Sequence, residues 1–145
     1  ILDCYDTLIN PRAYISRFVQ SLTGITNEMV RHAPVFEDVA DQIFDLLQDK
    51  IFVAHNVGFD HALVKKQLEM VGYSLEVQRL CTIRLSRRII PGLPSYSLGK
   101  LCHQLGICHT QQHRAAGDAM ATAQLFTWLA ERDINNMIPE VLNLS

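Results

Sequence analysis

At 145 residues, with 48% apolar and 19% charged residues, the chain is long enough for one domain that buries roughly 70% of its unfolded surface. A net charge of −2 excludes coating nucleic acid by bulk positive charge, but not gripping one strand end through metal ions and a few local contacts. No apolar run reaches membrane-spanning length, no signal-peptide pattern is present, and four cysteines without a dense framework point to free thiols in a reducing, cytoplasmic setting.

Ile1 to Ile9 reads as a strand ending at Asn10-Pro11, because proline cannot donate to a ladder and biases the preceding residue away from helix. Ser21 to Thr26 reads as a turn, with Thr26 as N-cap of a short helix over Asn27 to Arg31 that Pro34 breaks off. An amphipathic helix follows from Phe36 to Gln48, its Val39, Ile43, Phe44, Leu46 and Leu47 on one side. Ile51-Phe52-Val53-Ala54 is wholly apolar and lies between helices, which predicts a strand buried on both faces. The dense polar run His55-Asn56-Val57-Gly58-Phe59-Asp60-His61 comes next. Phe59, Ala62, Leu63, Leu68 and Val71 then space out as a helix stopped by Gly72.

Glu76 to Cys81 is a further strand candidate, leading into a helix over Thr82 to Arg88 and a Pro91 to Ser95 loop. Ser97 caps a helix from Leu98 to Leu105, with Leu98, Leu101, Cys102 and Leu105 inward and Gly106 ending it. Cys108 to Gln112 is a loop into His113. The helix beyond runs to Glu131, with Ala119, Ala123, Phe126 and Ala130 as its stripe, flanked by Leu125 and Leu129. Ile134 to Leu142 is a last helix or helical tail, interrupted near Pro139. The alternation of strands and helices predicts an α/β fold.

Ligands of open α/β sheets gather outside the carboxyl ends of strands, so the polar run after Ala54 stands where chemistry is expected. His113 and Asp118 are five residues apart, which on one ideal helix would turn their side chains apart by about 140°. With His113 on the loop and Asp118 on the early turns, both converge. On that segment alone they describe a surface histidine before a solvated helix. Together with His55, Asn56 and Asp60 they suit a divalent-metal site, since hard cations take carboxylate oxygens and an imidazole can take a proton from water.

His55 to Asp60 resembles the second motif, and His113 to Asp118 the third, of the proofreading-type 3′–5′ exonucleases, the histidine-containing DEDD group that includes the epsilon subunit of bacterial DNA polymerase III. Thr7 to Pro11, Leu22 to Thr26 and Leu93 to Leu98 resemble the family's intervening segments, so the similarity covers about Ile1 to Leu129. The resemblance implies a ribonuclease-H-like three-layer fold with a mixed central sheet. It also implies two metal ions, Mg²⁺ or Mn²⁺, that activate a water and stabilise the leaving 3′ oxygen. On this basis His113 is the general base, while Asp118 and Asp60 are catalytic carboxylates and metal ligands. His55, Asn56, Phe59 and Arg114 contact the substrate, Arg114 through phosphate. Asn56 also fits a helix cap, and Phe59 a core aromatic.

The family's first motif, Asp-x-Glu-Thr on the first strand, is absent; Asp3-Cys4-Tyr5-Asp6-Thr7 is only an imitation of it. Ile1 to Ile9 is therefore expected to be the third strand of an N-terminally incomplete single domain over 1–145, with the first strands missing. Two readings follow. One is an exonuclease acting on the 3′ end of single-stranded nucleic acid, DNA before RNA, beside a DNA polymerase subunit. The other is a truncated or degenerate non-catalytic module with a binding or scaffold role. An RNA-trimming exonuclease shares every residue named.

Weaker signals weigh less. Cys102-His103 and Cys108-His109 match no common zinc spacing. Arg84, Arg87, Arg88, Lys65 and Lys66 read mainly as solvated helix faces, and Trp128 as core or interface.

Overall fold

The computed structural model describes residues 1–110 and 112–144. Its elements in chain order are α1 (Arg17–Thr23), α2 (Asn27–Val30), α3 (Phe36–Leu47), β1 (Phe52–Ala54), α4 (Val57–Met70), β2 (Arg79–Cys81), α5 (Thr82–Ile89), α6 (Leu98–Leu105), α7 (Ala115–Glu131) and α8 (Ile138–Val141). The two strands run parallel with Phe52 opposite Arg79, Val53 opposite Leu80 and Ala54 opposite Cys81. Both therefore end at the same edge, where α4 and α5 begin.

Alternation along the strands builds two cores. Phe52 packs with Ala40, Leu68 and Leu75 under α3 and α4, beside Phe44 and Tyr73. Val53 packs on the opposite side with Leu80, Leu85, Leu101, Leu125, Leu129 and Val141. The result is a sheet between two helical layers, α/β as the sequence predicts. Each fully buried leucine of these cores contributes roughly 2 kcal/mol through lost contact with water.

The outer edge of β2 is closed by the chain's last residues. Leu80 bridges Leu142 in antiparallel sense, the Asn143 amide donates to the Arg79 carbonyl at 2.6 Å, and the Arg79 amide donates to Asn143 Oδ1 at 2.9 Å. Among the described residues no strand pairs with the other edge of β1.

Several expectations change. Residues 1–9 form no strand. A strand exists only through ladder bonds, and among the described residues no strand pairs with this segment; its side-chain bonds are local, from the Cys4 amide to the Asp3 carboxylate and from the Thr7 hydroxyl to the Leu8 carbonyl. Helix α1 takes in the first three residues of the turn expected at 21–26: the Ser16 hydroxyl caps it by accepting from the Val19 amide, and Gly24 ends it at φ 72°. No residue of α1 is buried, and its apolar residues Phe18, Val19 and Leu22 lie exposed.

In α4 the inward face is Val57, His61 and Leu68, with His61 in a slot expected of an apolar residue; Phe59 and Leu63 point outward. In α7 the inward face is Ala121, Thr122, Leu125 and Leu129, so the stripe of Ala119, Ala123, Phe126 and Ala130 is rotated from the true one. Alanine and threonine at the buried positions weaken the apolar contrast that marks a face. Pro139 sits in the first turn of α8, where its missing N–H interrupts nothing. The loop expected at 108–112 includes Gln111, which lies outside the described residues.

Candidate active site

Three helix starts supply the candidate residues. Asp60 lies in the first turn of α4 and Asp118 in the first turn of α7, positions where orphan amides favour a carboxylate. The third start, that of α5, follows Cys81 directly. The sharp passage from β1 into α4 is made by Asn56 at φ 77°, a left-handed conformation that asparagine tolerates better than most side chains. Asn56 is thus the N-cap residue, but its exposed side chain makes no capping bond.

Asp60 lies within reach of the Asp118 charge. Burial raises the Asp60 carboxyl above its ordinary range, its own backbone amide pulls it back, and the charge of Asp118 raises it further. Asp118 also adds to the rise of the Cys102 thiol, after burial, which places that buried cysteine of α6 under the same carboxylate.

The imidazole bonded to Asp118 is His109. Its Nε2–H donates to Asp118 Oδ1 at 2.7 Å. The sequence motif points instead to His113, which lies before α7 as expected but is exposed and turned at φ 65°. His109 had no signal to betray it, because nine residues before an acid correspond to no helical or strand spacing.

The other predicted contacts separate into two kinds. His55 has both ring nitrogens engaged within the fold: Nε2–H donates to the Tyr96 carbonyl at 2.7 Å, and Nδ1 accepts from the Thr82 hydroxyl at 2.7 Å. Burial lowers its pKa from 6.5 against the smaller raising effect of the Tyr96 carbonyl, which fits the neutral tautomer these bonds require. No ring nitrogen of His55 is left for a substrate; the residue instead ties the end of β1 to α5 and to the loop before α6. Phe59, by contrast, is 68% exposed, so the core alternative for it does not hold. Arg114, the N-cap residue of α7, extends to the end of α1, with Nη1 3.7 Å from where a Cβ on Gly24 would stand.

Cys81 is a feature the sequence did not suggest. Burial raises its thiol pKa, but the backbone amides of Arg84, Val57, Asn56 and Ile83 together outweigh that and lower it. The basic residues are mostly paired: Arg87 lies over the Tyr96 ring, Arg88 meets Glu140 at 3.2 Å and Lys65 meets Glu76 at 2.6 Å. Trp128 packs against the larger core. A cleft of about 300 Å³ beside Ile1, Ile107 and Trp128 shares no lining residue with the carboxylates.

The family described as Exonuclease (RNase_T) matches residues 1–126. The chain belongs to this exonuclease family. It is 40% identical over 133 residues to the 3′-5′ exonuclease DinG of Bacillus subtilis, covering 91% of this chain and 14% of that protein. It is 35% identical over 132 residues to the PolC-type DNA polymerase III of Caldanaerobacter subterraneus subsp. tengcongensis, covering 91% of this chain and 9% of that one. The chain therefore spans a seventh or less of the length of these relatives. Among solved structures, exonuclease X in complex with 5′ overhanging duplex DNA matches with a TM-score of 0.70 at 26% identity, over 92% of this chain and 76% of that chain. Exonuclease I matches with a TM-score of 0.75 at 21% identity, over 89% of this chain and 33% of that one, a likeness of fold. The α/β architecture is thus the ribonuclease-H-like fold of exonucleases.

Proposed function

We propose that residues 1–145 belong to a single 3′–5′ exonuclease domain that, once joined to a strand carrying the first-motif acids, hydrolyses the terminal phosphodiester of single-stranded DNA with Mg²⁺ or Mn²⁺, in the cytoplasm and beside a DNA polymerase subunit. The observation that carries this is the pair of carboxylates at two helix starts, Asp60 and Asp118, close enough for one to raise the pKa of the other. Two charged oxygen donors that repel each other fit a hard divalent cation, which accepts one or two carboxylates and fills its octahedron with water and substrate phosphate. Among the described residues no group of three or more His, Cys, Asp or Glu is placed to hold a metal, so the pair supplies half of the family's acidic set.

Asp60 and Asp118 would hold the ion, whose chemistry is to acidify a water and to neutralise charge on the leaving 3′ oxygen. His113, exposed on the loop before α7, takes the water's proton. Phe59, exposed one turn into α4, stacks on the terminal base, and Asn56 borders the same helix start. Arg114 meets a phosphate. His55 positions the strand end through its two internal bonds.

The test is digestion of 5′-labelled single-stranded DNA and matched RNA with Mg²⁺ or Mn²⁺. It compares the 145-residue chain with the same chain extended upstream of Ile1 by a strand carrying Asp-x-Glu-Thr. The extended form is expected to shorten DNA from its 3′ end and to lose this activity in Asp118→Ala, while the unextended chain gives at most a trace. Robust digestion by the unextended chain would sink the half-set argument; activity that survives Asp118→Ala would sink the site. Faster removal of RNA would favour the RNA-trimming reading. Binding of DNA without hydrolysis by the extended form would favour the non-catalytic module.

A further inference from the structure

We propose that His109 is a positioning residue that holds Asp118 in the orientation in which it receives a metal ion; this rests on the proposed role of Asp118 as a ligand. The geometry is one-sided. His109 is 7% exposed at its side chain, whereas the Asp118 side chain is 40% exposed, so the imidazole meets the carboxylate from inside the protein and leaves its outer side open. The main chain of Asp118 is already fixed: its amide donates to the Arg114 carbonyl at 3.0 Å, and the Thr122 hydroxyl donates to its carbonyl at 2.8 Å. What remains free is rotation of the carboxyl group, and the bond from His109 Nε2–H to Oδ1 removes it.

The other ring nitrogen makes the role specific. Nδ1 of His109 is buried and has no hydrogen-bond partner among the described residues. An apolar side chain in this slot would fill the space without leaving a buried polar atom unsatisfied, which costs the fold stability. The bond to Asp118 is what an apolar residue could not supply. The tautomer with hydrogen on Nε2 and a bare Nδ1 leaves no buried N–H without an acceptor, and it lets Asp118 keep its second oxygen for a cation. Histidine and carboxylate thereby form an outer-to-inner pair of the kind that orients metal ligands, here with the carboxylate as the ligand.

The experiment measures Mn²⁺ binding to the 145-residue chain by the loss of the free-ion electron paramagnetic resonance signal, for the native chain and for His109→Leu, His109→Gln and Asp118→Asn. Circular dichroism confirms that each is folded. Leucine removes the donor, and its dissociation constant should rise 10- to 100-fold. Glutamine carries an N–H at nearly the reach of Nε2 and should recover most of that loss, which a merely space-filling role would not produce. Binding that Asp118→Asn abolishes but His109→Leu leaves unchanged would overturn the inference alone. Binding indifferent to Asp118→Asn, or no binding at all, would overturn the ligand reading and the inference with it. If His109→Leu does not fold, His109→Phe takes its place as the variant without a donor: a dissociation constant raised 10- to 100-fold in His109→Phe but within about threefold of native in His109→Gln supports the donor role, and any other pattern contradicts it.

Discussion

Asp60 and Asp118 belong to different helices, α4 and α7, yet on top of burial, which raises the Asp60 carboxyl most, the charge of Asp118 raises it further. A sheet edge with helix starts above it brings the two together, and the burial of Asp60, with the smaller repulsion from Asp118, is a strain that the folded chain carries at neutral pH. Because the folded carboxyl is raised above its unfolded value of 3.8, its contribution to stability is full below about that pH and is lost as pH rises through the folded value.

Asp60→Asn should therefore raise the melting temperature at pH 7. For a half-open group the gain is below about 1 kcal/mol, or up to ~4 °C, and it vanishes near pH 3.5. Thermal unfolding followed across pH checks this; a variant less stable than the native chain at pH 7 contradicts it.

His61 points to the opposite pH limit. It is 7% exposed, its Nε2 is buried without a partner among the described residues, and its ring stands edge-on to Phe52 at 5.5 Å. Burial, then the charges of Arg79 and Lys65, lower its pKa against the weaker pull of Glu76, and burial likewise lowers His55. A histidine with a depressed folded pKa stabilises the fold above its unfolded value of 6.5, and that stability is lost as pH falls through the folded value. His61→Leu should add about 1 kcal/mol at pH 7 by removing the unsatisfied nitrogen, and more at pH 5. Denaturant unfolding at both pH values gives the comparison, and equal gains would count against it.

Thr82→Val probes the strand-end clamp. Thr82 is fully buried, and its hydroxyl meets His55 Nδ1 at 2.7 Å and the Ala54 carbonyl at 3.3 Å. The valine leaves the His55 acceptor bare at nearly unchanged volume, with an expected loss of about 1–3 kcal/mol. Chemical denaturation measures it; a loss under about 0.5 kcal/mol, the level of neutral surface changes, would remove His55 from its positioning role.

Phe59→Ala separates substrate contact from packing. At 68% exposure the ring contributes little to the core, so stability should change by less than about 0.5 kcal/mol. Affinity for single-stranded DNA should fall by about 1–3 kcal/mol if the ring stacks on a base. Fluorescence anisotropy with a labelled oligonucleotide, beside a melting curve, reads both.

The parts of the fold visible in the sequence are those whose signals are local. Thr26 caps α2 by accepting from the Met29 amide at 3.2 Å, Gly106 ends α6 at φ 70°, and the apolar run before His55 becomes the buried strand β1. What misled were signals that depend on partners elsewhere. Ile1 to Ile9 has a strand's composition but no strand beside it among the described residues, and composition alone makes no ladder. His61 hides the inner face of α4 because a polar residue occupies an apolar position.

The same division holds at the site. The positions of Asp60 and Asp118 at helix starts are legible because each follows a polar run that leads into a helical pattern. The internal bonds of His55 and the contact of His109 with Asp118 were not, since each joins residues whose separation in sequence has no periodic meaning.

The most direct test of a shared carboxylate site is the titration of the Asp60 side chain, followed by carbon-13 nuclear magnetic resonance in the native chain and in Asp118→Asn. The Asp60 pKa is predicted to lie above the ordinary carboxyl range in the native chain, to drop when the Asp118 charge is removed, and to drop again in the native chain when Mg²⁺ is added. An Asp60 titration that Asp118→Asn leaves unchanged would contradict the account.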